Sequence, residues 1–172
     1  QAGDGGAFFA KNHITAGMRQ LFELGLRRLA GCSDQAVFEL TQAMGGGKTH
    51  TMIAFGLIAR DPALRERIVP DLAAAAPFAA ARIVAFSGRQ YPDDFLWGEI
   101  AHQLEKPEAF RRYWQDGASA PDEPAWMNLI CDEPTVILFD ELPPYFDYAM
   151  TRSVGARTLA QVATAALSNL FS

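Results

Sequence analysis

A run of glycines that leads into a lysine and a threonine constrains this chain more than any other part of its sequence. Within the stretch LTQAMGGGKTHT, the glycines Gly45, Gly46 and Gly47 come directly before Lys48 and Thr49. Such a run can hold phosphate groups if a strand precedes it and a helix follows, because backbone N–H groups then face the anion. The alternative is a glycine turn that happens to precede a solvated lysine.

The flanking segments favour the phosphate-binding interpretation. Gln35–Leu40 (QAVFEL) is short and β-prone and predicts a strand, and THTMIAFGLIARD after it has helical spacing. Lys48 would then reach the β- and γ-phosphates, and the Thr49 hydroxyl would bind Mg²⁺. His50 would lie in the first helical turn beside the nucleotide, although a structural role is favoured for it. The usual pattern has glycine where this chain has Gln42, so the stretch alone is only a moderate signal.

A second motif, VILFDE, ends in the adjacent carboxylates Asp140 and Glu141. Its apolar run predicts a strand that is buried on both faces, as in a parallel sheet. Asp140 would hold Mg²⁺ through a water molecule, and Glu141 would act as the general base on an attacking water. Taken alone, the motif could be an acidic turn at a sheet edge. Its position one strand-and-helix unit downstream of the glycines favours a paired nucleotide site.

The remaining pattern predicts alternating strands and helices. Strands are expected at 81–88 and 135–142, and helices at 14–31, 49–61, 63–76 (broken at Pro70), 93–105 and 155–171. Residues 1–12 are predicted to be a loose N-terminal segment, and 106–134 a partly helical excursion rich in proline and acids. The predicted fold is a three-layer α/β sandwich around a parallel sheet, with the Asp140 strand next to the strand at 35–40. Residues 1–172 would be the N-terminal part of one domain whose sheet is incomplete at its C-terminus.

Composition and charge remove several classes of protein. A chain that is 49% hydrophobic and 20% charged suits a globular domain. It has neither an apolar run of the roughly 20 residues that cross a bilayer nor a signal peptide. It begins with Gln rather than Met, so the true start is predicted to be missing. Cys32 and Cys131 lie outside any metal-binding pattern, which favours two reduced cysteines in the cytoplasm. The net charge of -5 includes no basic cluster typical of nucleic-acid modules.

Together the two motifs resemble the P-loop NTPases, in the division with a catalytic Glu beside the Walker B Asp. That division includes the AAA+ ATPases and the helicase-like motors, and its specific motifs cover 35–60 and 135–142 here. More narrowly, AVFELTQAMGGGKTHTMIAFGLIAR and FFAKNHITAGMRQLF look like a bacterial family defined only as a domain of unknown function. Its members are large predicted ATPases, often encoded near restriction and phage-defence genes. The resemblance implies that this chain is an N-terminal piece of a longer protein.

The resemblance also implies a function, Mg²⁺-dependent ATP binding and hydrolysis that drives a conformational change in a larger assembly. The expected partners are ATP, the other domains of a longer cytoplasmic chain, further copies of it, and nucleic acid through missing domains, but no membrane. One alternative is an ATP-dependent switch or scaffold with little turnover. Another is a small-molecule kinase, against which the adjacent Asp140 and Glu141 argue.

Some residues outside the two motifs have both a functional and a plain interpretation. By analogy with such ATPases, His13, Ile14 and Thr15 could lie near the adenine base, or else belong to a loop and the core. Ser87 and Arg89 follow the predicted strand at 81–88, at the sheet edge where ligands bind in this architecture. A plain loop role is favoured for both.

The segment after VILFDE contributes further candidates. Tyr145, Phe146 and Tyr148 could stack on nucleic-acid bases, although packing is the favoured explanation because no basic residues interleave with them. Arg152 and Arg157 are candidates for an arginine finger only if a neighbouring subunit presents them.

Overall fold

A computed structural model gives the fold, and it describes residues 3–41, 47–93, 95–115 and 118–172. Its helices are α1 Gly3–Lys11, α2 Ala16–Leu29, α3 Lys48–Arg60, α4 Pro62–Ile68, α5 Pro70–Ala75, α6 Phe95–Gln103, α7 Pro107–Phe110, α8 Glu123–Ile130, α9 Leu142–Thr151 and α10 Leu159–Phe171. Its strands are β1 Arg82–Ser87, β2 Thr135–Asp140, β3 Ser153–Val154 and β4 Arg157–Thr158. No helix in the described ranges has both the length and the apolar character of a membrane span.

The predicted three-layer α/β sandwich is wrong. The structure is 59% helical, and the strands among the described residues form only a parallel β1–β2 pair and a small antiparallel β3–β4 pair. Residues 35–40, predicted as a strand, have no regular secondary structure, and Val37 is 47% exposed. A β-prone segment becomes a strand only when a neighbour pairs with its backbone, and β1 rather than this segment pairs with β2.

The chain divides into two compact units, which are described separately. Unit 1 comprises Gln1–Ile83 with Pro134–Val136, and unit 2 comprises Val84–Glu133 with Ile137–Ser172. In unit 1, α2 packs closely on α3, because a Cβ atom at Gly25 would lie only 2.5 Å from Cζ of Phe55. The absence of a side chain at residue 25 therefore sets how near α2 lies to the helix that begins at Lys48.

The carboxyl end of α3 is held by a buried arginine. Arg65 is 3% exposed and donates hydrogen bonds to the carbonyl oxygens of Ile58 (3.2 Å) and Ala59 (3.3 Å) in the last turn of α3. Its guanidinium also donates to the Phe78 carbonyl at 2.5 Å and lies 3.8 Å from the centroid of the Phe78 ring. A cation at the carboxyl end of a helix complements the helix dipole. Arg65 therefore stabilises α3 at the end opposite Lys48.

The prediction of a loose segment at 1–12 is also wrong, because Gly3–Lys11 forms α1. The segment contains three glycines, which disfavour a helix in isolation. Tertiary contacts override that preference. The Phe8 ring lies 4.7 Å from the ring of His50, and a Cβ atom at Gly5 would lie 2.6 Å from Cδ2 of Leu64.

Unit 2 has one hydrophobic core, built from α6, α8, α9, α10 and the inward residues Val84 and Phe86 of β1. The buried indoles of Trp97 and Trp126 keep hydrogen-bond partners, which buried N–H groups need. They donate to the carbonyl oxygens of Tyr113 (3.2 Å) and Ala166 (3.0 Å). The core therefore holds β1 and the helices on either side of β2 in fixed positions.

In the part of the chain that the structure describes, only β2 pairs with β1, and no strand lies along the other edge of β1. On the β2 side, Gly88 N donates to Asp140 O at 2.8 Å. On the other side, the amide of Gln103 bonds both the N–H and the C=O of Ala85, each at 2.9 Å. Glu99 accepts a further hydrogen bond from Gln103 at 2.7 Å. A side chain thus takes the place of a neighbouring strand at Ala85.

The segment after β2 differs from its predicted form. LPPYFDY begins α9, where prolines fit because first-turn N–H groups have no intrahelical partner. The last helix begins at Leu159 rather than at 155. Residues 153–158 instead form the β3–β4 hairpin, with Gly155 in the left-handed region (φ +59°). Thr158 and Gln161 then form a capping box that starts α10.

Candidate functional site

The lysine and threonine of the glycine motif lie in the first turn of α3. Gly47 is its N-cap in the left-handed conformation (φ 78°, ψ 21°) and, as a glycine, contributes no capping side chain of its own. The first intrahelical bond runs from Thr51 N to Gly47 O at 2.9 Å, so Lys48 and Thr49 precede it. Anions are favoured at such a helix start, because its amides and the helix dipole both present positive charge. Gly45, Gly46 and Gln42 lie outside the described residues.

The residues around this turn have mainly structural contacts. His50 is exposed but packs on Phe8, as its favoured structural role implied. Of the adenine candidates, Thr15 is the N-cap of α2, where its hydroxyl accepts a hydrogen bond from Met18 N at 3.2 Å. His13 is exposed. The assignment of an adenine contact to these residues stays a prediction.

The two carboxylates lie at the end of β2, in unit 2. Asp140 is the last residue of the strand and is half-buried, whereas Glu141 is exposed and is the N-cap of α9. The Glu141 backbone is left-handed (φ 51°, ψ 42°), a conformation that a residue with a side chain adopts only under constraint. Constrained backbone of this kind clusters at functional sites.

The turns that follow β1 and β2 approach each other closely. A Cβ atom at Gly88 would lie 1.7 Å from the carbonyl oxygen of Glu141 and 3.0 Å from Cα of Leu142. Only glycine allows this contact. Because β1 ends at the same side as β2, the residue after Gly88 is brought directly beside Glu141.

That residue is Arg89, and it forms a two-bond ion pair with Glu141. Arg89 Nε lies 2.5 Å from Glu141 Oε2, and Arg89 Nη2 donates to Oε1 at 3.0 Å. The side chains are 72% and 41% exposed. The hydrogen bond from Arg89, and then its charge, lower the pKa of the Glu141 carboxyl.

The sequence predicted both members of this pair as candidates but not their contact. They are 52 residues apart. The available signal was that Arg89 follows the predicted strand at 81–88 and that Glu141 lies near the end of the predicted strand at 135–142. Parallel neighbouring strands place their carboxyl ends together. The other candidate on this turn, Ser87, accepts a hydrogen bond from Arg89 N at 3.4 Å, in keeping with a loop role.

Two of the aromatic candidates on α9 pack within unit 2. Tyr145 is 1% exposed, its ring lies 5.3 Å from that of Phe86, and burial raises the pKa of its phenol to about 12. Phe146 is half-buried with its ring 5.9 Å from that of Tyr145. Tyr145 therefore cannot stack on a base, in agreement with the packing interpretation.

Tyr148 and the arginine-finger candidates differ in exposure. The Tyr148 ring lies 4.3 Å from that of Tyr91, and its hydroxyl accepts a hydrogen bond from Arg152 at 2.7 Å. Arg152 is half-buried and lies over the ring of Phe95, at 5.4 Å. Arg157 is exposed on β4. Arg152 thus contacts other residues of unit 2, whereas Arg157 is exposed to solvent.

The residues predicted from the sequence as metal ligands carry a hydroxyl and a carboxylate. Thr49 and Asp140 provide hydroxyl and carboxylate oxygens, the hard donors that Mg²⁺ prefers. Lys48 and Thr49 belong to unit 1, and Asp140 and Glu141 to unit 2. Within unit 2 the structure brings Glu141 together with Arg89.

Comparisons with protein-family models, with curated proteins and with solved structures found no significant match to this chain. The resemblance to P-loop NTPases therefore stays a prediction, and function has to be argued from the residues.

Proposed function

We propose that this chain binds Mg·ATP and hydrolyses it. The observation that carries the proposal is the start of α3, where Lys48 and Thr49 follow a glycine run and the left-handed Gly47 directly. A helix whose N-cap is a glycine, with a cation and a hydroxyl in its first turn, would offer backbone N–H groups and Lys48 to an anion and a metal ligand beside them. Asp140 and Glu141 at the end of β2 supply the carboxylates that hydrolysis requires.

Each residue has a distinct role in this proposal. Lys48 contacts the β- and γ-phosphates, and Gly47 leaves room for them to approach the backbone. The Thr49 hydroxyl and the Asp140 carboxylate would hold Mg²⁺, which when bound neutralises charge on the phosphates. Glu141 accepts the proton of the attacking water. The free energy of ATP hydrolysis would drive a conformational change in a longer cytoplasmic protein. The partners would be its other domains, further copies of the chain or nucleic acid, and the assembly would have a role in phage defence.

One observation favours a second candidate, an ATP-dependent switch that turns over rarely. The carboxylate of Glu141 is already engaged by Arg89 through both of its oxygens. A base held in this way accepts a proton less readily. In the switch, ATP binding rather than hydrolysis would change the state of the assembly.

Replacing Lys48 with alanine tests the proposal. Lys48 is exposed in the first turn of α3, so the variant is expected to fold normally. It is expected to lose Mg·ATP affinity at least about 100-fold, because a charge-assisted contact to two phosphates disappears. Isothermal titration calorimetry with Mg·ATP measures this loss, with circular dichroism as a check on folding.

Lys11→Ala is the matched control, since Lys11 is an exposed lysine in the last turn of another helix of unit 1. It should bind Mg·ATP like the unchanged chain. Equal affinity in both variants and the unchanged chain would show that the glycine motif is a plain turn and refute the nucleotide site.

A further inference from the structure

We propose that Phe8 in α1 is a positioning residue, which orders the first turn of α3 by packing on His50 and so raises the affinity of that turn for Mg·ATP. The inference rests on the proposed function, because the same turn carries Lys48 and Thr49. Phe8 acts through His50 and has no contact of its own with the nucleotide.

The start of a helix depends for its order on contacts from outside the helix. The first four N–H groups of any helix have no partner within it, and Gly47, the N-cap of α3, contributes no capping side chain of its own. Thr51 closes the turn, because its N–H donates to Gly47 O at 2.9 Å and its hydroxyl donates to the same oxygen at 3.0 Å. Helix ends fray unless further contacts restrain them.

Phe8 supplies such a restraint to the first turn of α3. Its ring centroid lies 4.7 Å from that of His50, with 33° between the ring planes, which is a favourable aromatic contact. His50 directly follows Thr49, so its ring is attached to the same turn as the proposed phosphate and metal ligands. Packing of this ring against Phe8 therefore limits the movement of the backbone that carries Lys48 and Thr49.

Two glycines of α1 fix the position of Phe8 itself. A Cβ atom at Gly5 would lie 2.6 Å from Cδ2 of Leu64, and one at Gly6 would lie 2.7 Å from Nη2 of Arg67. Because these positions have no side chains, α1 lies close against α4, which follows α3 after one residue. Phe8, about one turn further along α1, therefore contacts α3 from a helix whose own position is fixed by packing.

Order in the first turn affects affinity through preorganisation. A turn that is ordered before the ligand arrives binds phosphate more tightly, because less conformational freedom is lost on binding. The Phe8–His50 contact can shift the balance between ordered and frayed turn by no more than its own free energy. An aromatic contact of this kind corresponds to a change of roughly 3- to 10-fold in an equilibrium constant.

The contact and the order of the turn are tested first without ATP. The chain has three histidines, so the ¹H NMR signals of the His50 ring are readily assigned with His50→Gln. At one fixed pH these signals are expected to shift in Phe8→Ala, because the ring current of Phe8 is lost. Hydrogen exchange at the Thr51 amide is expected to be faster in the same variant, whereas Phe8→Tyr keeps the ring and should keep slow exchange. Exchange at Thr51 as slow in Phe8→Ala as in the unchanged chain would refute the ordering role.

The binding arm is calorimetric titration with Mg·ATP. Phe8 is half-buried, so Phe8→Ala is expected to fold, which circular dichroism checks. It should bind roughly 3- to 10-fold more weakly than the unchanged chain, and Phe8→Tyr should bind like it. Lys11→Ala, which changes an exposed side chain of the same helix, is the matched control. The double variant Phe8→Ala/His50→Ala should bind no more weakly than His50→Ala alone, because Phe8 acts through His50.

Each contrary result has a definite meaning. Equal Mg·ATP affinity in Phe8→Ala and Lys11→Ala would overturn the positioning role of Phe8. Losses that add in the double variant would overturn it as well, since Phe8 would then contact the nucleotide itself. Absence of Mg·ATP binding in the unchanged chain, together with faster exchange at Thr51 in Phe8→Ala, would overturn the nucleotide site alone and leave the ordering of the turn by Phe8 standing.

Discussion

Replacing Glu141 with glutamine is expected to slow single-turnover ATP hydrolysis by about 10²–10⁴-fold and to leave ATP binding nearly unchanged. Glutamine keeps the size of the side chain and one hydrogen-bond acceptor for Arg89, but it cannot take a proton from water. Because Glu141 is exposed at the start of α9, the core of unit 2 is not altered. The variant should therefore accumulate in the ATP-bound state.

Asp140→Asn separates this effect from loss of the metal. Asp140 is assigned to Mg²⁺, so its variant should show weaker Mg²⁺ dependence and weaker nucleotide retention together. Quench-flow hydrolysis and equilibrium binding, measured on both variants, distinguish the two roles. A rate in Glu141→Gln equal to that of the unchanged chain would remove its role as a base and favour the switch.

Gly88→Ala is expected to destabilise unit 2 by about 3 kcal/mol, at the upper end of what overpacking usually costs. The added Cβ atom would overlap the carbonyl oxygen of Glu141, at 1.7 Å, and a backbone atom cannot move aside as a side-chain tip can. Relief requires the turns after β1 and β2 to separate, which strains the bond from Gly88 N to Asp140 O. The same separation would displace Glu141 from Arg89.

Urea unfolding followed by tryptophan fluorescence measures this loss. The three tryptophans, Trp97, Trp114 and Trp126, all belong to unit 2, so the signal reports on that unit alone. Gly17→Ala is the control for a glycine-to-alanine change, because a Cβ atom at that position of α2 meets nothing within 4 Å. Gly17 belongs to unit 1, so both variants are also followed by circular dichroism, which reports on the helices of both units. Equal unfolding midpoints for Gly88→Ala and the unchanged chain would show that the two turns can separate freely.

The sequence predicted best where a local pattern was enough. The apolar runs at β1 and β2 are strands, and Pro70 does separate α4 from α5. The candidate residues after those strands follow from the same patterns, because a strand end is a local feature. Their grouping as Arg89 with Glu141 required knowing that β1 and β2 are neighbours.

The errors came from segments whose structure depends on partners. QAVFEL has the composition of a strand, but nothing in the described residues pairs with it. The segment GDGGAFFAK has the composition of a loop. It nevertheless forms helix α1, in which the ring of Phe8 packs against the ring of His50. Intrinsic preferences of a few tenths of a kcal/mol up to about 1 kcal/mol per residue are small beside such tertiary contacts. Only the packed neighbours could have decided these two segments.

The amide of Gln103 affects whether another polypeptide can pair with the open edge of β1. An uncovered strand edge presents unpaired N–H and C=O groups with which another polypeptide can pair. At Ala85 the backbone N–H and C=O are already hydrogen-bonded to the side chain of Gln103, which also donates a hydrogen bond to Glu99. An incoming chain would have to displace two hydrogen bonds before it gained any. Gln103 therefore blocks strand pairing with another polypeptide at Ala85, at the centre of β1.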